Sequence, residues 1–218
     1  MVNGKFTCRR RSSWLLLLTL IVMFFLPLQT ATDELDRLKG NMPGGCIESL
    51  AGILDEGDII FRYGNGVWSP VFRNVSLTEK RFSHAGVIIV EKGRFWVVHA
   101  SAHEMNGVGY VSKVSLEQFL SVSSDYAVYR FGKEKNVRWR IAENAKSYIG
   151  RPFDSSFNIA DRNRVYCTEL VMHSVNDAVG YNAISPTVVN GVSLVAPDDC
   201  YEGRGFFAVA DKRLSGKL

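Results

Sequence analysis

The sequence predicts an α+β domain in which an antiparallel sheet packs against helices. Three observations predict it: strand-like apolar segments cluster in the middle of the chain, a two-residue loop joins the central pair, and two amphipathic helices follow. At 218 residues, 46% hydrophobic and 22% charged, the chain has the length and balance of one globular domain with a proper core. No internal repeat or low-complexity segment interrupts it.

The elements follow in order. Arg9, Arg10 and Arg11 precede the apolar run Trp14 to Leu28, and the chain then turns polar; this is the layout of a secretory signal over residues 1–31. The run of 15 residues is shorter than the roughly 20 needed to span a bilayer. A cleaved signal and an uncleaved anchor both stay open. Residues 32–55 read as a lead-in with a short helix around Ile47 to Leu54, and residues 56–218 as the main domain. Asp58 to Arg62 forms a strand after the turn at Glu56 and Gly57, and residues 63–82 form a loop with room for one helical turn. The stretch FSHAGVIIVEKGRFWVVHASAH, Phe82 to His103, supplies strands around Val87 to Val90 and Phe95 to Val98, joined by Lys92 and Gly93. A loop leads to a strand over Asp125 to Phe131. Val137, Ile141, Ala145, Tyr148 and Ile149 mark one face of a helix over Glu134 to Ile149, stopped by Gly150 and Pro152. A second helix runs from Cys167 to Val179 with Leu170, Val171, Ser174, Val175 and Ala178 inward and Gly180 as its stop. Gly205 to Ala210 is a last strand.

Charge and cysteine usage bound the function. Residues 1–31 hold four basic residues and no acidic ones; removing them from the 26 basic residues leaves 22, equal to the 22 acidic residues. A neutral mature chain offers nothing to nucleic acid or to anionic membranes, so membrane association is left to the N-terminal segment. Without Cys8 there remain Cys46, Cys167 and Cys200, an odd number, so one thiol is left over. Cys46 and Cys200 lie in loop-like contexts compatible with a bridge, which leaves Cys167 to explain. The NVS triplet at Asn74 to Ser76 is a glycosylation acceptor only in a eukaryotic secretory pathway.

With Glu91 opposite Arg94, the hairpin register pairs Gly86 with His99 and His84 with Ser101. Cross-strand partners share a face, so His84 and His99 become diagonal neighbours about 7 Å apart at Cβ. A one-residue slip would put them on opposite faces. A cysteine at a helix N-terminus completes a set suited to nucleophilic catalysis: Cys167 as nucleophile, His84 as general base and His99 as the orienting third residue. The helix N-terminus and an adjacent imidazolium are expected to draw the thiol below its free value near ~8.5. His103 keeps the same parity as His99 and is the runner-up for the third position. His173, about 240° round the helix from Cys167, cannot face the same site and reads as a solvated surface residue. No CxxC pair, HExxH or Gly-rich phosphate loop is present, so no metal or other cofactor is expected.

The segments EGDIIF, FSHAGVIIV, FWVVHASA, SYIGRPFDSSF, VYCTELV and AISPTVV resemble, in order, the landmarks of the permuted papain-like amidases of the YiiX and YaeF type, relatives of the NlpC cell-wall peptidases. The resemblance covers roughly Glu56 to Val189 and implies a circularly permuted papain-like fold, with the histidine strands before the cysteine helix. It implies Cys167 as nucleophile with its backbone amide in the oxyanion hole, His84 as base, Tyr166 as a site-lining aromatic, Glu169 as a family position in the first turn, and Arg151 to Asp154 as a loop near the pocket. His99 stands where YiiX-like members carry Glu; the order His, His, Cys is similar to the lecithin:retinol acyltransferase-like branch. The function implied is an exported, periplasmic or cell-envelope cysteine hydrolase acting on a peptidoglycan peptide or a lipid amide. A lipid acyltransferase or lipase, and a non-catalytic envelope binding module, are the alternatives.

Overall fold

The computed structural model describes residues 44–132, 134–189 and 191–214, so the leader and the first part of the lead-in lie outside the described residues. The described residues fall in one compact unit. It opens with helix α1, Gly44–Ala51, whose Leu50 is buried, as is Leu54 just beyond it. Strand β1, Ile59–Gly64, leads to the short helix α2, Ser69–Asn74, the helical turn expected between residues 63 and 82. Strands β2, His84–Glu91, and β3, Arg94–Ala102, form the hairpin. Lys92 and Gly93 both have positive φ, 51° and 72°, the backbone of a twist-matched two-residue turn.

Strand β4, Gly109–Ser115, and helix α3, Leu116–Ser121, occupy a stretch that sequence patterning reads as loop. Ser115 caps α3 by accepting the Gln118 N–H, and Leu116, Phe119 and Leu120 are buried. Strand β5, Ser123–Phe131, then helices α4, Lys135–Ser147, and α5, Cys167–Val179, follow at the expected places. Gly180 ends α5 with φ 76°, a left-handed cap that glycine takes without steric cost. Ile149 lies past the end of α4 and is exposed, unlike Ile141, Ala145 and Tyr148, which are buried as their spacing predicts. A small hairpin, β6 Thr187–Val189 and β7 Val192–Leu194, precedes a 3-10 turn at Asp198–Cys200 and strand β8, Phe206–Asp211.

The sheet runs β4-β3-β2-β1-β5-β8 with every neighbouring pair antiparallel. This is the α+β architecture with an antiparallel sheet against helices. Alternation divides the strands into two faces. Ile59, Phe61, Ala85, Val87, Val98 and Ala100 join Leu170, Val171 and Val175 of α5 and Ile141 and Ala145 of α4 in the main core. Arg62, His84 and His99 fall on the opposite parity, where Phe119 of α3 lies against them. The histidines therefore belong to the face that the long helices do not cover.

Arginine–aspartate clusters brace the fold elsewhere. Arg81 reaches Asp125 and Asp211 and so ties the start of β2 to β5 and β8. Arg130 and the fully buried Asp58 make two hydrogen bonds, which offset part of the desolvation that pushes the Asp58 carboxyl up.

Candidate active site

Cys167 opens α5, and its two chain neighbours fasten it to one residue. Val195 donates its N–H to the Tyr166 hydroxyl at 2.7 Å, and its carbonyl accepts from the Thr168 hydroxyl at 2.7 Å. Tyr166 is thus committed to holding the helix start, with its ring beside Phe157 at 5.0 Å. Glu169 is fully buried: it accepts the Tyr166 N–H at 3.2 Å and lies 3.3 Å from His173 Nε2. Burial pushes the Glu169 carboxyl up, while His173 and the Tyr166 amide pull it down. His173 corrects the surface reading. It is buried, stacked parallel to Tyr148 between α4 and α5, because Glu169 one turn earlier gives its ring a partner.

The loop from Arg151 to Asp154 is a clip. Val111 donates to the Arg151 carbonyl and Phe153 donates to Gly109, both on β4, while Val165 donates to Pro152 and Asp154 donates back to Val165. The strand next to β3 is thereby joined to the backbone two residues before the thiol.

The hairpin register is the predicted one from Glu91 opposite Arg94 to Val87 opposite Val98, but the ladder stops there. The expected pairs Gly86 with His99 and His84 with Ser101 are not part of it. The imidazoles meet nonetheless: His84 Nε2 lies 2.9 Å from His99 Nδ1. Gly86 permits this approach, since a Cβ there would stand 2.5 Å from Val97 Cγ1 and 3.2 Å from His99 Cβ. Phe119 stacks on His84 at 5.7 Å and meets His99 edge-on at 5.4 Å. His103 is exposed beyond β3, with its Nδ1 near the Met105 N–H, and is not part of this cluster.

Past the last β2–β3 pair, the Ala85 amide lies near enough to the Cys167 sulfur to favour its charged form, as do the amides of Thr168 and of Cys167 itself. The thiol therefore sits beside the residue that follows His84. Among the described residues no hydrogen bond closes between the sulfur and His84. Because His99 occupies His84 Nε2, the nitrogen left for the thiol is Nδ1. For Nδ1 to accept a proton, Nε2 must carry hydrogen and donate to His99 Nδ1. Neutral His99 then bears its hydrogen on Nε2, which is buried without a hydrogen-bond partner.

The electrostatics differ from the expected ion pair. Burial pushes the Cys167 thiol up; the three N–H groups and the Arg62 guanidinium pull it back without reversing the direction. Burial, then Arg62 and His99, hold His84 well below its ordinary range, and burial and Arg62 hold His99 down to about 4. The resting site is a neutral thiol beside a neutral imidazole pair, because desolvation outweighs the helix N-terminus and a fixed cation disfavours imidazolium. A stability consequence follows. Below the ordinary histidine value of 6.5 the unfolded chain takes up protons that folded His99 refuses until about 4. Stability is thus fully present above 6.5 and falls as pH drops through that window. Relative to a His99→Gln variant, the urea midpoint of the wild-type chain should decline between pH about 6.5 and about 4; parallel curves would contradict it.

Arg62 is the residue that sequence reading missed. It pairs directly with His84 across β1 and β2, and its guanidinium carbon lies 4.5 Å from the centre of the Phe119 ring. Cys200, expected opposite Cys46, is instead a free and fully buried thiol whose sulfur lies near the Thr168 and Ala196 carbonyls. The Cys46 side chain, the other half of the expected bridge, lies outside the described residues.

Residues 53–201 match the family described as permuted papain-like amidase enzyme, YaeF/YiiX, C92 family. The chain belongs to that family. The permuted papain-like order accounts for His84 and His99 preceding Cys167, and membership makes the chain a papain-like cysteine hydrolase of the amidase and peptidase type. An uncharacterized protein YiiX of Escherichia coli K12 is 30% identical over 128 residues, which span 57% of this chain and 58% of that protein. The match thus covers less than two thirds of the relative. The crystal structure of the metalloprotein YiiX from Escherichia coli O157:H7 shares the permuted fold with a TM-score of 0.62 at 21% identity, over 73% of this chain and 98% of that one. Among the described residues, no three His, Cys, Asp or Glu side chains converge as metal ligands.

Proposed function

We propose that this permuted papain-like amidase is an exported enzyme that cleaves an amide of the cell envelope, in a peptide or a lipid, by way of an acyl thioester on Cys167. The observation that carries the reading is the constellation around Ala85: the thiol at the start of α5 near its amide, and the preceding His84 held by His99 at 2.9 Å. The leader-like composition of residues 1–31 supports export.

In this reading His84 Nδ1 takes the thiol proton as sulfur attacks the carbonyl carbon. The N–H groups at the start of α5 and at Ala85 face the developing oxyanion. The imidazolium so formed is a strong acid, since Arg62 and burial disfavour it, and it delivers its proton to the leaving nitrogen. An amine leaves only when protonated, so this acidity suits an amide better than an ester. Water then attacks the thioester with His84 again as base, freeing the acid and the thiol.

A specific surface favours the lipid member of the substrate class. Val67, Trp68 and Met105 are exposed on the loops that follow β1 and β3, at the end of the sheet where His84 starts β2, and Trp68 Nε1 donates to the Glu104 carbonyl to join the two loops. Incubation with muropeptides and, separately, with N-acyl phospholipids, followed by assay of newly released amine, tests the proposal. Amine release from one class, absent with Cys167→Ala, is the expected result. Ester deacylation without amine release would shift the assignment to the acyltransferase reading, and inertness toward both with an ordinary thiol would shift it to a binding module.

A further inference from the structure

Several arginines inside this protein have carboxylate partners. Arg81 has Asp125 and Asp211, Arg130 has Asp58, and Arg138 has Asp55. Arg62 has none among the described residues, and in this it resembles Arg73, which rests over the Tyr63 ring with its Nε also unpartnered. The Arg62 Nη1 donates to the Phe119 carbonyl, its plane rests over the Phe119 ring, and its Nε is buried with no hydrogen-bond partner. A guanidinium withdrawn from water is costly unless an anion answers it. The anion the site can generate is the sulfur of Cys167.

We propose that Arg62 is the built-in counter-cation for the negative charge that the Cys167 sulfur acquires on losing its proton, next to the His84–His99 pair. The inference rests on the reading of Cys167 as the nucleophile. Position supports it first: Arg62 pairs with His84 across the strands, its Nε is buried without a partner, and the thiol lies near the amide of the next residue, Ala85. Electrostatics agree. Arg62 draws the thiol down, the thiolate strengthens Arg62, and burial lowers Arg62 only to about 10, so it stays charged at neutral pH. The other titratable groups around the sulfur do not compete. His84 from β2 and His99 from β3 are held neutral, and Tyr166 and Cys200 are pushed up by burial. Glu169 is turned toward His173. In a papain-like ion pair the imidazolium is the counter-ion; here that charge is permanent and resides on β1, leaving His84 free to carry protons.

The test is the rate of iodoacetamide labelling against pH, followed at Cys167 by peptide mapping, in wild type, Arg62→Gln, Arg62→Met, Arg62→Lys and His84→Ala. The apolar Met variant suits the Phe119 surface should the Gln variant fold poorly, and thermal melting identifies the folded ones. The expected result is an inflection displaced upward in Arg62→Gln or Arg62→Met, with labelling at neutral pH slowed about tenfold or more. Arg62→Lys should restore much of the rate, and His84→Ala should track wild type. A profile unmoved by loss of Arg62, or one moved by His84→Ala instead, would overturn the inference. So would slower reaction of anionic iodoacetate alone with an unmoved iodoacetamide profile, which would make Arg62 a collector of anions. Those outcomes leave the hydrolase reading standing so long as turnover requires Cys167; turnover that persists in Cys167→Ala removes that reading instead.

Discussion

Cys167→Ala is expected to reduce amide turnover to background, a loss of at least about 10⁴-fold, because no other group at the helix start can form the acyl intermediate. The fold should persist. The residue as a whole keeps some exposed surface although its sulfur is buried, and the helix start is held by Tyr166 and Thr168 through Val195 rather than by the sulfur. The variant's melting temperature should therefore stay within a few degrees of wild type. Cys167→Ser tests the same point more narrowly: the shape is kept while the thiol is replaced by a hydroxyl whose far higher pKa makes it a poor nucleophile here. Hydrolysis at a comparable rate in either variant, measured by amine release, would remove Cys167 from the chemistry.

His84→Ala should lower the turnover rate by about 10² to 10⁴-fold, the range general acid–base catalysis supplies. Loss should fall mainly on the turnover rate, because both proton transfers pass through this ring. Labelling of the thiol by a small alkylator should change little, since His84 is already neutral where the sulfur ionises. Added imidazole should recover part of the rate, as the vacated space lies beside Phe119 and His99. Activity within twofold of wild type would exclude His84 as the proton carrier. An equal fall in turnover and in melting temperature, without imidazole rescue, would make it a packing residue.

Much of this arrangement is written in local patterns. Cys167 to Val179 shows helical spacing and ends at a glycine, and both boundaries hold in the structure. The hairpin is legible because Lys92 and Gly93 meet the demand of a tight turn for positive φ, which sets the register that brings His84 and His99 to one face. Strand β4 was hidden for the opposite reason: only Val111 is buried along GYVSKVS, so no clear alternation survives. Helix α3 has a readable cap and an apolar face, but at six residues its pattern is too short to stand out. Arg62 was beyond local reading, because its meaning depends on β1 pairing with β2 and on a helix that sets Phe119 over the guanidinium. His173 misled for a related reason. Its angle from Cys167 was sound, but angle alone does not show that α4 covers that side and that Glu169 waits one turn away. The downward pull expected on the thiol failed because desolvation is a property of the packed site, which helix position by itself does not reveal.

The central claim is an acyl thioester at Cys167, and it is most directly tested by trapping it. The full-length protein would be mixed with p-nitrophenyl acetate, quenched in acid within the first turnover, and its intact mass and peptides analysed. One acetyl group per chain, located on Cys167, is the predicted result; it should accumulate slowly in His84→Ala and be absent in Cys167→Ala. Acetyl on another residue, or nitrophenol release with Cys167 never modified, would contradict the account.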